Sequence, residues 1–487
     1  QGRIYGGSGK EQAHDIAADD NGKVMVVAEF TTPSLTLDQT SITHGGGTGS
    51  DSLVMRVAKA GVEWVRKPIC SRNDRAWSVD VDSAGNVFVA GEIMANTSSS
   101  SITWGSIQLT IQGWHTSYVV KFSNVGAIGW ALGTYSQSSS SSYYVRNPSI
   151  DIVGSHLLMG LNFNYGFKYY SGSYSSNWIY TQHNYYSNSL LIELTNTGST
   201  ASSNYMVSKY SSVDDVAWAD MPSGNDHIII PINGLARQSG SYQYYSDAPA
   251  TTLQRYSWNN GLGSHQFYSL IGHTDSESIF DLEPLNATSN VLLGASNRYG
   301  QNLRFGNDVI GGDTTTSNSQ QSRLFLAVSD LNGSWTKVDQ IIVGSHLSGN
   351  MGRTTDRNWA AMVVGSNGTV WVGFHWQNSL EIPGLTSRSS GSGFIVASWS
   401  PTNGWMSADT IGFQTGHYVD VDIAVSNGDV WFSGLCYGTV SMHGTSYSGS
   451  SNSNICIAKR DATNSWTNIY RSGSYHYYEV VLEAMTG

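Results

Sequence analysis

The chain has 487 residues, of which only 13% are charged, and its net charge is −11 with a pI near 5.6. This acidic balance argues against a nucleic-acid partner, which would require a basic surface. No apolar run approaches the ~18 residues of a membrane-spanning helix, so we expect no membrane span. Val, Ile, Leu and aromatic residues alternate throughout, so the abundance of Ser and Gly does not indicate disorder.

A four-strand pattern recurs seven times and predicts an all-β fold. Each copy has strand a, a tight polar turn, an apolar strand b, a variable Ser- and Tyr-rich stretch, and strands c and d. Clear examples are DIAADDNGKVMVVAEF, SVDVDSAGNVFVAGEI, AAMVVGSNGTVWVGF and DIAVSNGDVWFSG, which begin at Asp15, Ser78, Ala360 and Asp422. A unit of this kind cannot bury both faces alone. The sequence therefore predicts a single seven-bladed β-propeller of four-stranded antiparallel blades over residues 1–487, with eight blades as the alternative.

The two ends of the chain add strands to the seven repeats, which run from about residue 13 to 472. Residues 2–8 resemble a d strand that closes the last blade, and residues 476–486 resemble an extra a strand. A half-built eighth blade, truncation of a longer chain, and strand addition to a neighbouring molecule are the alternatives. Because Gln1 is not an initiator Met, we expect a removed signal peptide and a secreted or cell-surface protein, with an arbitrary start of the sequence as the alternative.

Small residues and tryptophans occupy fixed places in the repeat. Because Gly and Pro are poor in strand interiors, we expect strand b to leave its ladder at a small residue in each copy. These residues are Ala28, Gly91, Gly160, Pro231, Gly294, Gly373 and Gly434. A Trp opens five of the seven d strands, and we expect these side chains to anchor one blade to the next. They are Trp64, Trp130, Trp335, Trp405 and Trp466.

The connections between strands differ in length. The a–b and c–d turns are short and rich in Asn-Gly, as two-residue hairpins require. The b–c and d–a connections are long, irregular and different in every copy. In a propeller these two sets lie on opposite faces. The long connections therefore predict a variable binding face.

The chain resembles the SBBP-type β-propeller repeat family of secreted bacterial and archaeal proteins. The resemblance rests on AWSVDVDSAGNVFVAGEI with ITWGSIQLTIQGWHTSYVVKFSNVGAIGW, within residues 76–130, and on SLTLDQTSITHGGGTGSDSLVMRVAKAGVEW at 34–64. It extends over the whole chain but departs in copies three and four, where the b–c stretch is Tyr-rich and the d-strand Trp is absent. The family implies a propeller in an extracellular setting and supplies no catalytic residues.

The sequence favours a binding protein over an enzyme. It contains no nucleophile elbow, P-loop, HExxH or dinucleotide fingerprint. The Asp-Gly turns at Asp19 and Asp82 lack the run of oxygen ligands of a calcium loop, so we interpret them as turn chemistry. We therefore predict no cofactor and no metal site. Four histidines in d–a connections are interpreted as polar loop residues, with a metal at a channel mouth as the alternative. They are His273, His346, His417 and His476.

Aromatic residues in the variable stretches are the candidate binding residues. Tyr combines a broad apolar ring with a polar tip and suits contacts with proteins or sugars. The candidates are Tyr143, Tyr144, Tyr169, Tyr170, Tyr174, Trp178, Tyr180, Tyr185, Tyr186, Tyr242, Tyr244 and Tyr245. Packing of these rings on each other is the alternative. The leading prediction is an adhesion or structural assembly subunit that binds a protein partner or itself; a carbohydrate-binding or carbohydrate-active propeller is the runner-up.

Cysteines and glycosylation sequons complete the candidate sites. Cys436 and Cys456 fall on strands b and c of copy seven, so they are a candidate disulfide, with two free thiols as the alternative. Cys70 is expected to stay unpaired.

Four N-x-S/T sequons are compatible with a secreted surface. They are Asn96, Asn286, Asn332 and Asn367, and the last three are predicted on the face opposite the variable one.

Overall fold

The structure is a computed structural model in which every element of the described chain is a β-strand or a turn. No helix in that part of the chain is long and apolar enough to cross a membrane. The described residues are 11–19, 21–45, 49–70, 72–94, 100–111, 115–136, 145–153, 155–163, 166–171, 174–175, 179–180, 188–195, 197–198, 200–202, 209–213, 217–219, 227–235, 251–258, 262–271, 277–286, 288–296, 303–305, 308–310, 322–330, 334–343, 360–377, 379–388, 391–414, 421–426, 428–442, 445–447, 454–461 and 465–471.

The first compact unit comprises residues 1–213, 236–242 and 485–487. Its strands are β1 (Glu11–Ala18), β2 (Val24–Phe30), β3 (Ser34–Leu37), β4 (Thr40–Thr43), β5 (Asp51–Ala58), β6 (Gly61–Arg66), β7 (Ile69–Cys70), β8 (Asn73–Val81), β9 (Val87–Met94), β10 (Ser100–Trp104), β11 (Ile107–Ile111), β12 (His115–Phe122), β13 (Ile128–Ser136), β14 (Val145–Val153), β15 (His156–Phe163), β16 (Gly166–Ser171), β17 (Tyr174–Ser175), β18 (Ile179–Tyr180), β19 (Asn188–Thr195), β20 (Thr200–Ser202) and β21 (Lys209–Val213).

The second unit comprises residues 214–235 and 243–484. Its strands are β22 (Ala217–Ala219), β23 (His227–Leu235), β24 (Thr251–Trp258), β25 (Leu262–Ile271), β26 (Glu277–Asn286), β27 (Ser289–Ser296), β28 (Leu303–Phe305), β29 (Asp308–Ile310), β30 (Ser322–Asp330), β31 (Trp335–Val343), β32 (Ala360–Val364), β33 (Val370–Gln377), β34 (Leu380–Ile382), β35 (Thr386–Arg388), β36 (Ser392–Ser400), β37 (Gly404–Gln414), β38 (Val421–Ser426), β39 (Asp429–Met442), β40 (Thr445–Tyr447), β41 (Asn454–Arg460) and β42 (Trp466–Arg471).

Each sequence repeat forms an antiparallel sheet in the predicted order a-b-c-d. Repeats one and three have the orders β1-β2-β5-β6 and β14-β15-β19-β20 in the first unit. In the second unit, β26-β27-β30-β31 form repeat five and β32-β33-β36-β37 form repeat six. Repeats two and seven follow the same plan with β8, β9, β12 and β13 and with β38, β39, β41 and β42. The prediction of an all-β fold built from antiparallel sheets is confirmed.

Strand b does not leave its ladder at the small residue, so that expectation is wrong. β9 continues past Gly91 to Met94, and β33 continues past Gly373 to Gln377. Close packing explains these glycines, because a Cβ atom on Gly91 would lie 2.3 Å from the carbonyl oxygen of Arg75 and from the Tyr118 hydroxyl. A glycine inside a strand thus marks a close approach of other groups rather than the end of the strand.

Partly buried carboxylates connect the a strands of successive repeats. In the first unit, the Val79 amide donates to Asp15 Oδ2 at 2.8 Å, and the Ile152 amide donates to Asp80 Oδ2 at 2.7 Å. In the second unit, the Met362 amide donates to the carboxylate of Asp281 at 2.9 Å. An a strand thus offers backbone donors that the carboxylate of the preceding repeat satisfies.

Two of the repeated tryptophans pack on the c–d turn of the following repeat, as predicted. The Trp64 indole donates to the carbonyl of Asn124 at 3.2 Å, and a Cβ atom on Gly126 would lie 2.8 Å from the ring. Gly126 has a φ of 76°, which a glycine adopts without strain. A Cβ atom on Gly198 would likewise lie 2.7 Å from Trp130, so these tryptophans anchor neighbouring repeats.

Candidate functional site

The b–c connections are ordered hairpins in several repeats, which corrects the expectation of irregular loops. β3 pairs with β4, β10 with β11, β28 with β29, and β34 with β35. In β34 the buried Leu380 and Ile382 flank the exposed Glu381. The variable stretch therefore keeps the strand alternation that buries one side of each hairpin.

In repeats two, three, five, six and seven, the first strand of the b–c segment pairs with the outer strand of the preceding repeat; we call these segments bridging hairpins. β10 pairs with β7, which continues the outer strand β6 beyond Pro68. β34 pairs with β31, with Glu381 opposite Ile342. The same contact joins β16 to β13, β28 to β25, and the end of β39, which also pairs with β40, to β37. Bridging hairpins thus join neighbouring sheets by backbone hydrogen bonds.

Apolar side chains of the bridging hairpins fill the space between neighbouring repeats. Ile102, Trp104 and Leu109 belong to a buried cluster that contains Val54 and Trp64 of repeat one together with residues of repeat two. In the second unit, Leu380 and Ile382 pack in a cluster that combines strands of repeats five and six. The hairpins therefore stabilise the contact between repeats through apolar burial as well as backbone pairing.

Four of the predicted aromatic binding residues lie in or beside a bridging hairpin. In β16, Tyr169 lies opposite Thr134 and Tyr170 lies opposite Gly133 of β13. Tyr174 belongs to β17 and Tyr180 to β18, and both of these short strands pair with β16. The remaining candidates lie outside the described residues: Tyr143, Tyr144, Trp178, Tyr185, Tyr186, Tyr242, Tyr244 and Tyr245. Binding by this aromatic set stays a prediction.

A buried polar cluster lies between repeats one and two, at the end of the strands from which the b–c hairpins extend. We call it the Asp74 cluster and define it by Ser52, Asp74, Tyr118, Asp51 and Lys67. Both the amide, at 2.8 Å, and the hydroxyl of Ser52 donate to Asp74 Oδ1. The Tyr118 hydroxyl lies 3.4 Å from that of Ser52, and Lys67 donates to Asp51 at 2.8 Å.

Burial controls the protonation of Asp74 and of the neighbouring Cys70. Asp74 has no exposed surface, and burial raises the pKa of its carboxyl to about 7 despite the two Ser52 donors. Burial and the nearby Asp74 raise the pKa of the Cys70 thiol to about 12, so this thiol is neutral and weakly nucleophilic. Ser52, Asp74, Tyr118 and Asp51 are buried, and the Lys67 side chain is 22% exposed. The cluster therefore suits the joining of two repeats better than chemistry on a bound substrate.

A second buried acid, Glu29, lies next to this cluster. Arg75 forms an ion pair with Glu29 at 2.8 Å, and the Ser50 hydroxyl donates to the same carboxylate oxygen at 2.8 Å. The Arg75 guanidinium also lies over the Trp77 ring, 5.5 Å from its centroid. The sequence analysis did not predict a role for Asp74 or Glu29. A signal for Glu29 was present, because a Glu follows the small residue of strand b in two copies, at Glu29 and Glu92.

The short turns are closed by Asx hydrogen bonds, as predicted from their sequences. Asp82 Oδ1 accepts hydrogen bonds from the amides of Ala84 at 3.0 Å and Asn86 at 2.8 Å. Asn286 and Asn367, the two described sequon residues, are exposed and accept hydrogen bonds from the amides of Thr288 and Thr369. The sequons at Asn96 and Asn332 lie outside the described residues. Glycosylation stays a prediction for all four.

The cysteine pair and the histidines complete the predicted sites. Cys436 lies opposite Asn454 and Cys456 lies opposite Gly434, so the two cysteines are on adjacent strands but two ladder positions apart. A disulfide and two free thiols, the two alternatives from the sequence, both stay predictions. His273, His346, His417 and His476 lie outside the described residues. Within the described chain, no group of three or more His, Cys, Asp and Glu side chains is arranged to hold a metal ion.

Comparisons with known proteins do not identify a family. No family model and no curated protein matches this sequence. Among solved structures, the chain is similar to exotype rhamnogalacturonan lyase YesX over 96% of this chain and 90% of that chain, with 11% identity and a TM-score of 0.28. It is also similar to surface layer protein SbsC, domains 4–9, over 97% and 99% of the two chains, with 9% identity and a TM-score of 0.08. At such TM-scores neither likeness carries an argument.

Proposed function

We propose that the protein is a secreted or cell-surface seven-bladed β-propeller of the SBBP type that acts as a non-catalytic adhesion or structural assembly subunit. The observation that carries this proposal is the repeated bridging hairpin. It joins neighbouring repeats in both units through backbone pairing and apolar burial. A repeat array of this kind provides a rigid scaffold that presents loops to a partner.

The acidic side chains at the contacts between repeats support the same interpretation. Asp15, Asp80 and Asp281 accept backbone donors of the following repeat, and the Asp74 cluster is enclosed between repeats one and two. The described carboxylates with raised pKa values are thus engaged in contacts between repeats. Binding by the variable face, with its aromatic residues in copies three and four, accounts for function without a catalytic centre.

Replacement of Tyr169, Tyr170, Tyr244 and Tyr245 by Ser tests the binding face. We expect weaker partner binding or self-assembly with little change in melting temperature, because interface tyrosines contribute contact area rather than core packing. The matched control replaces Tyr118, which is buried within the described core, and should lower the melting temperature instead. A lowered melting temperature with unchanged association in the loop variant would contradict the proposal.

Screening on glycans together with sizing in solution separates this proposal from a carbohydrate-directed propeller. Self-assembly without glycan binding supports an assembly subunit. A monomer that binds or cleaves a defined glycan would contradict it.

A further inference from the structure

Asp74 links the start of repeat two to repeat one. Its amide donates to the carbonyl of Ser50 at 3.1 Å, and its Oδ1 atom accepts the amide of Ser52 at 2.8 Å. Asp74 lies at the start of β8 in repeat two, whereas the two serines lie beside the start of β5 in repeat one. The backbone and the side chain of one residue therefore hold the two repeats together at this end of the strands.

The two oxygens of the Asp74 carboxyl group differ in their surroundings. Oδ1 accepts both the amide and the hydroxyl of Ser52, whereas no group in the described part of the chain donates to Oδ2. Asp74 has no exposed surface. An ionised carboxylate in such a place loses its hydration without full replacement, while the neutral acid loses much less. The closed arrangement therefore favours the protonated carboxyl group.

Two basic side chains near this carboxyl group are paired with other acids. Lys67 donates to Asp51 at 2.8 Å, and Arg75 forms an ion pair with Glu29 at 2.8 Å. Asp51, which also lies 3.8 Å from His44, adds a negative charge that opposes ionisation of its neighbour. Both cations thus already serve another acid.

Titratable groups also face Asp74 from β7 and β12. Cys70 lies on β7 and Tyr118 on β12, and burial together with the charge of Asp74 raises the pKa values of both groups. Arg72 opposes this effect at Cys70, whereas Glu92 adds to it at Tyr118. Ionisation of Asp74 therefore costs free energy in the closed conformation.

Cys70 connects this carboxyl group to the bridging hairpin of repeat two. It lies opposite Ile102 in the pairing of β7 with β10, and it packs in the same buried cluster as Ile102 and Tyr118. Cys70 itself is 7% exposed. Because only three residues separate Cys70 from Asp74, a movement that hydrates the carboxyl group also uncovers the thiol.

We propose that Asp74 is a proton-controlled latch between repeats one and two. With a neutral carboxyl group it holds β7 and the bridging hairpin in place, and its ionisation releases the segment that carries Cys70. The inference goes beyond the proposed assembly function, because it assigns a regulatory device to the scaffold and does not depend on the identity of a partner.

The direction of the pH dependence follows from the two states of the latch. Burial raises the pKa of Asp74 to about 7 in the closed state. A hydrated Asp carboxyl group in the open state has a pKa near ~4. The closed state therefore binds the proton more tightly, so opening becomes easier as pH rises from about 4 to about 7 and does not change further at higher pH.

Maleimide labelling of Cys70 in the folded protein, followed by peptide mapping, measures this opening from about pH 5 to about pH 8. Asp74→Asn keeps an oxygen acceptor for Ser52 but cannot ionise. Division of the wild-type rate by the Asp74→Asn rate removes the pH dependence of the thiol itself. We expect this ratio to rise by up to about tenfold per pH unit until about pH 7 and then to stay constant.

Asp15→Asn is the matched control at the same contact between repeats. Asp15 accepts the amide of Val79 further along β8, so its replacement should leave the pH profile of Cys70 labelling unchanged. A ratio of wild-type to Asp74→Asn rates that is constant with pH would overturn the latch. So would an Asp15→Asn variant that removes the pH dependence.

Hydrogen exchange of the wild type tests the latch without any substitution. After correction for the intrinsic exchange rate, the amides of β10 should open more easily as pH rises to about 7, and more steeply than those of β2 in repeat one. Equal profiles for the two strands would contradict a latch at Asp74, even where the Asp74→Asn variant does not fold.

Discussion

The contact between repeats one and two in the first unit differs in chemistry from the contact between repeats five and six in the second. In the first unit, the buried Arg56 pairs with Asp19 of its own repeat and donates to the carbonyl of Asn124 in the next. In the second unit, the contact between repeats five and six carries the partly exposed Lys337–Asp339 pair beside an apolar cluster that includes the buried Trp376 and Trp399. One repeat architecture thus accommodates a buried or a partly exposed ion pair, provided that backbone pairing and the bridging hairpin are kept.

The two contacts should therefore differ in how much stability is lost when one partner of the ion pair is replaced. An ion pair in a buried contact depends strongly on both partners, whereas a partly exposed pair adds little. Titration of buried groups also makes the stability of each unit depend on pH, and the stabilities of the two units should change in opposite directions. Both differences can be measured.

The largest expected effect comes from the ion pairs at the two contacts. Arg56→Met removes the ion-pair partner of Asp19, whose carboxylate keeps the hydrogen bonds from the amides of Asn21 and Lys23, and should destabilise the first unit by about 3 kcal/mol. The matched variant, Lys337→Met, removes a pair with Asp339 in which both side chains are over a quarter exposed, and should cost less than about 1 kcal/mol. Denaturant unfolding with region-resolved hydrogen exchange measures both. Equal losses of stability in the two variants would contradict the difference between the buried and the partly exposed ion pair.

The next effect is an opposite pH dependence of the two units. Burial raises the pKa of Asp15 to about 7 and that of Asp80 to about 6, so the folded first unit binds these protons more tightly than the unfolded chain. This unit should therefore lose stability as pH rises from about 4 to 7, by at most about 1.4 kcal/mol per pH unit for each group. Burial lowers the pKa of His375 to about 4, so the second unit should lose stability as pH falls from about 6.5 to 4.

Hydrogen exchange of core amides across this pH range measures both slopes, after correction for the intrinsic exchange rate. Asp15→Asn should reduce the slope of the first unit and leave that of the second unchanged. His375→Gln should do the reverse. Slopes of the same sign in the two units of the wild type would contradict the account.

The smallest effect concerns the cysteines of repeat seven. Their offset of two ladder positions corresponds to a diagonal pair, for which Cα atoms are about 7–8 Å apart, beyond the usual disulfide range. We expect alkylation without reductant, after unfolding, to label Cys70, Cys436 and Cys456 alike, with no change in stability on reduction. Labelling of Cys70 alone would show that the disulfide forms and that the register shifts to allow it.

Much of the strand pattern was predictable from the sequence, because alternation and Asn-Gly turns are local signals. The a-b-c-d order, the tight turns at Asp82 and Asn367, and the packing of Trp64 on the next repeat all follow from such signals. The role of Gly91 could not be predicted from local signals. The space that a side chain would need at this position is occupied by Tyr118, a residue far away in the sequence.

The bridging hairpins and the Asp74 cluster were missed for a related reason. Pairing of β34 with β31 is a contact between two repeats. The sequence of Leu380–Ile382 contains no signal that indicates which strand it pairs with. In the sequence, Asp51 and Asp74 cannot be distinguished from ordinary polar residues at strand ends. Only the fold places them beside Ser52 and Tyr118. Contacts between repeats depend on geometry that a repeat pattern alone does not contain.

An electron cryomicroscopy map of the protein in solution tests the central claim most directly. We expect seven sheets of strand order a-b-c-d around one pseudo-symmetry axis, each joined to the preceding sheet by its b–c hairpin. Eight complete sheets, or b–c segments that extend into solvent without contacting the preceding outer strand, would contradict the account.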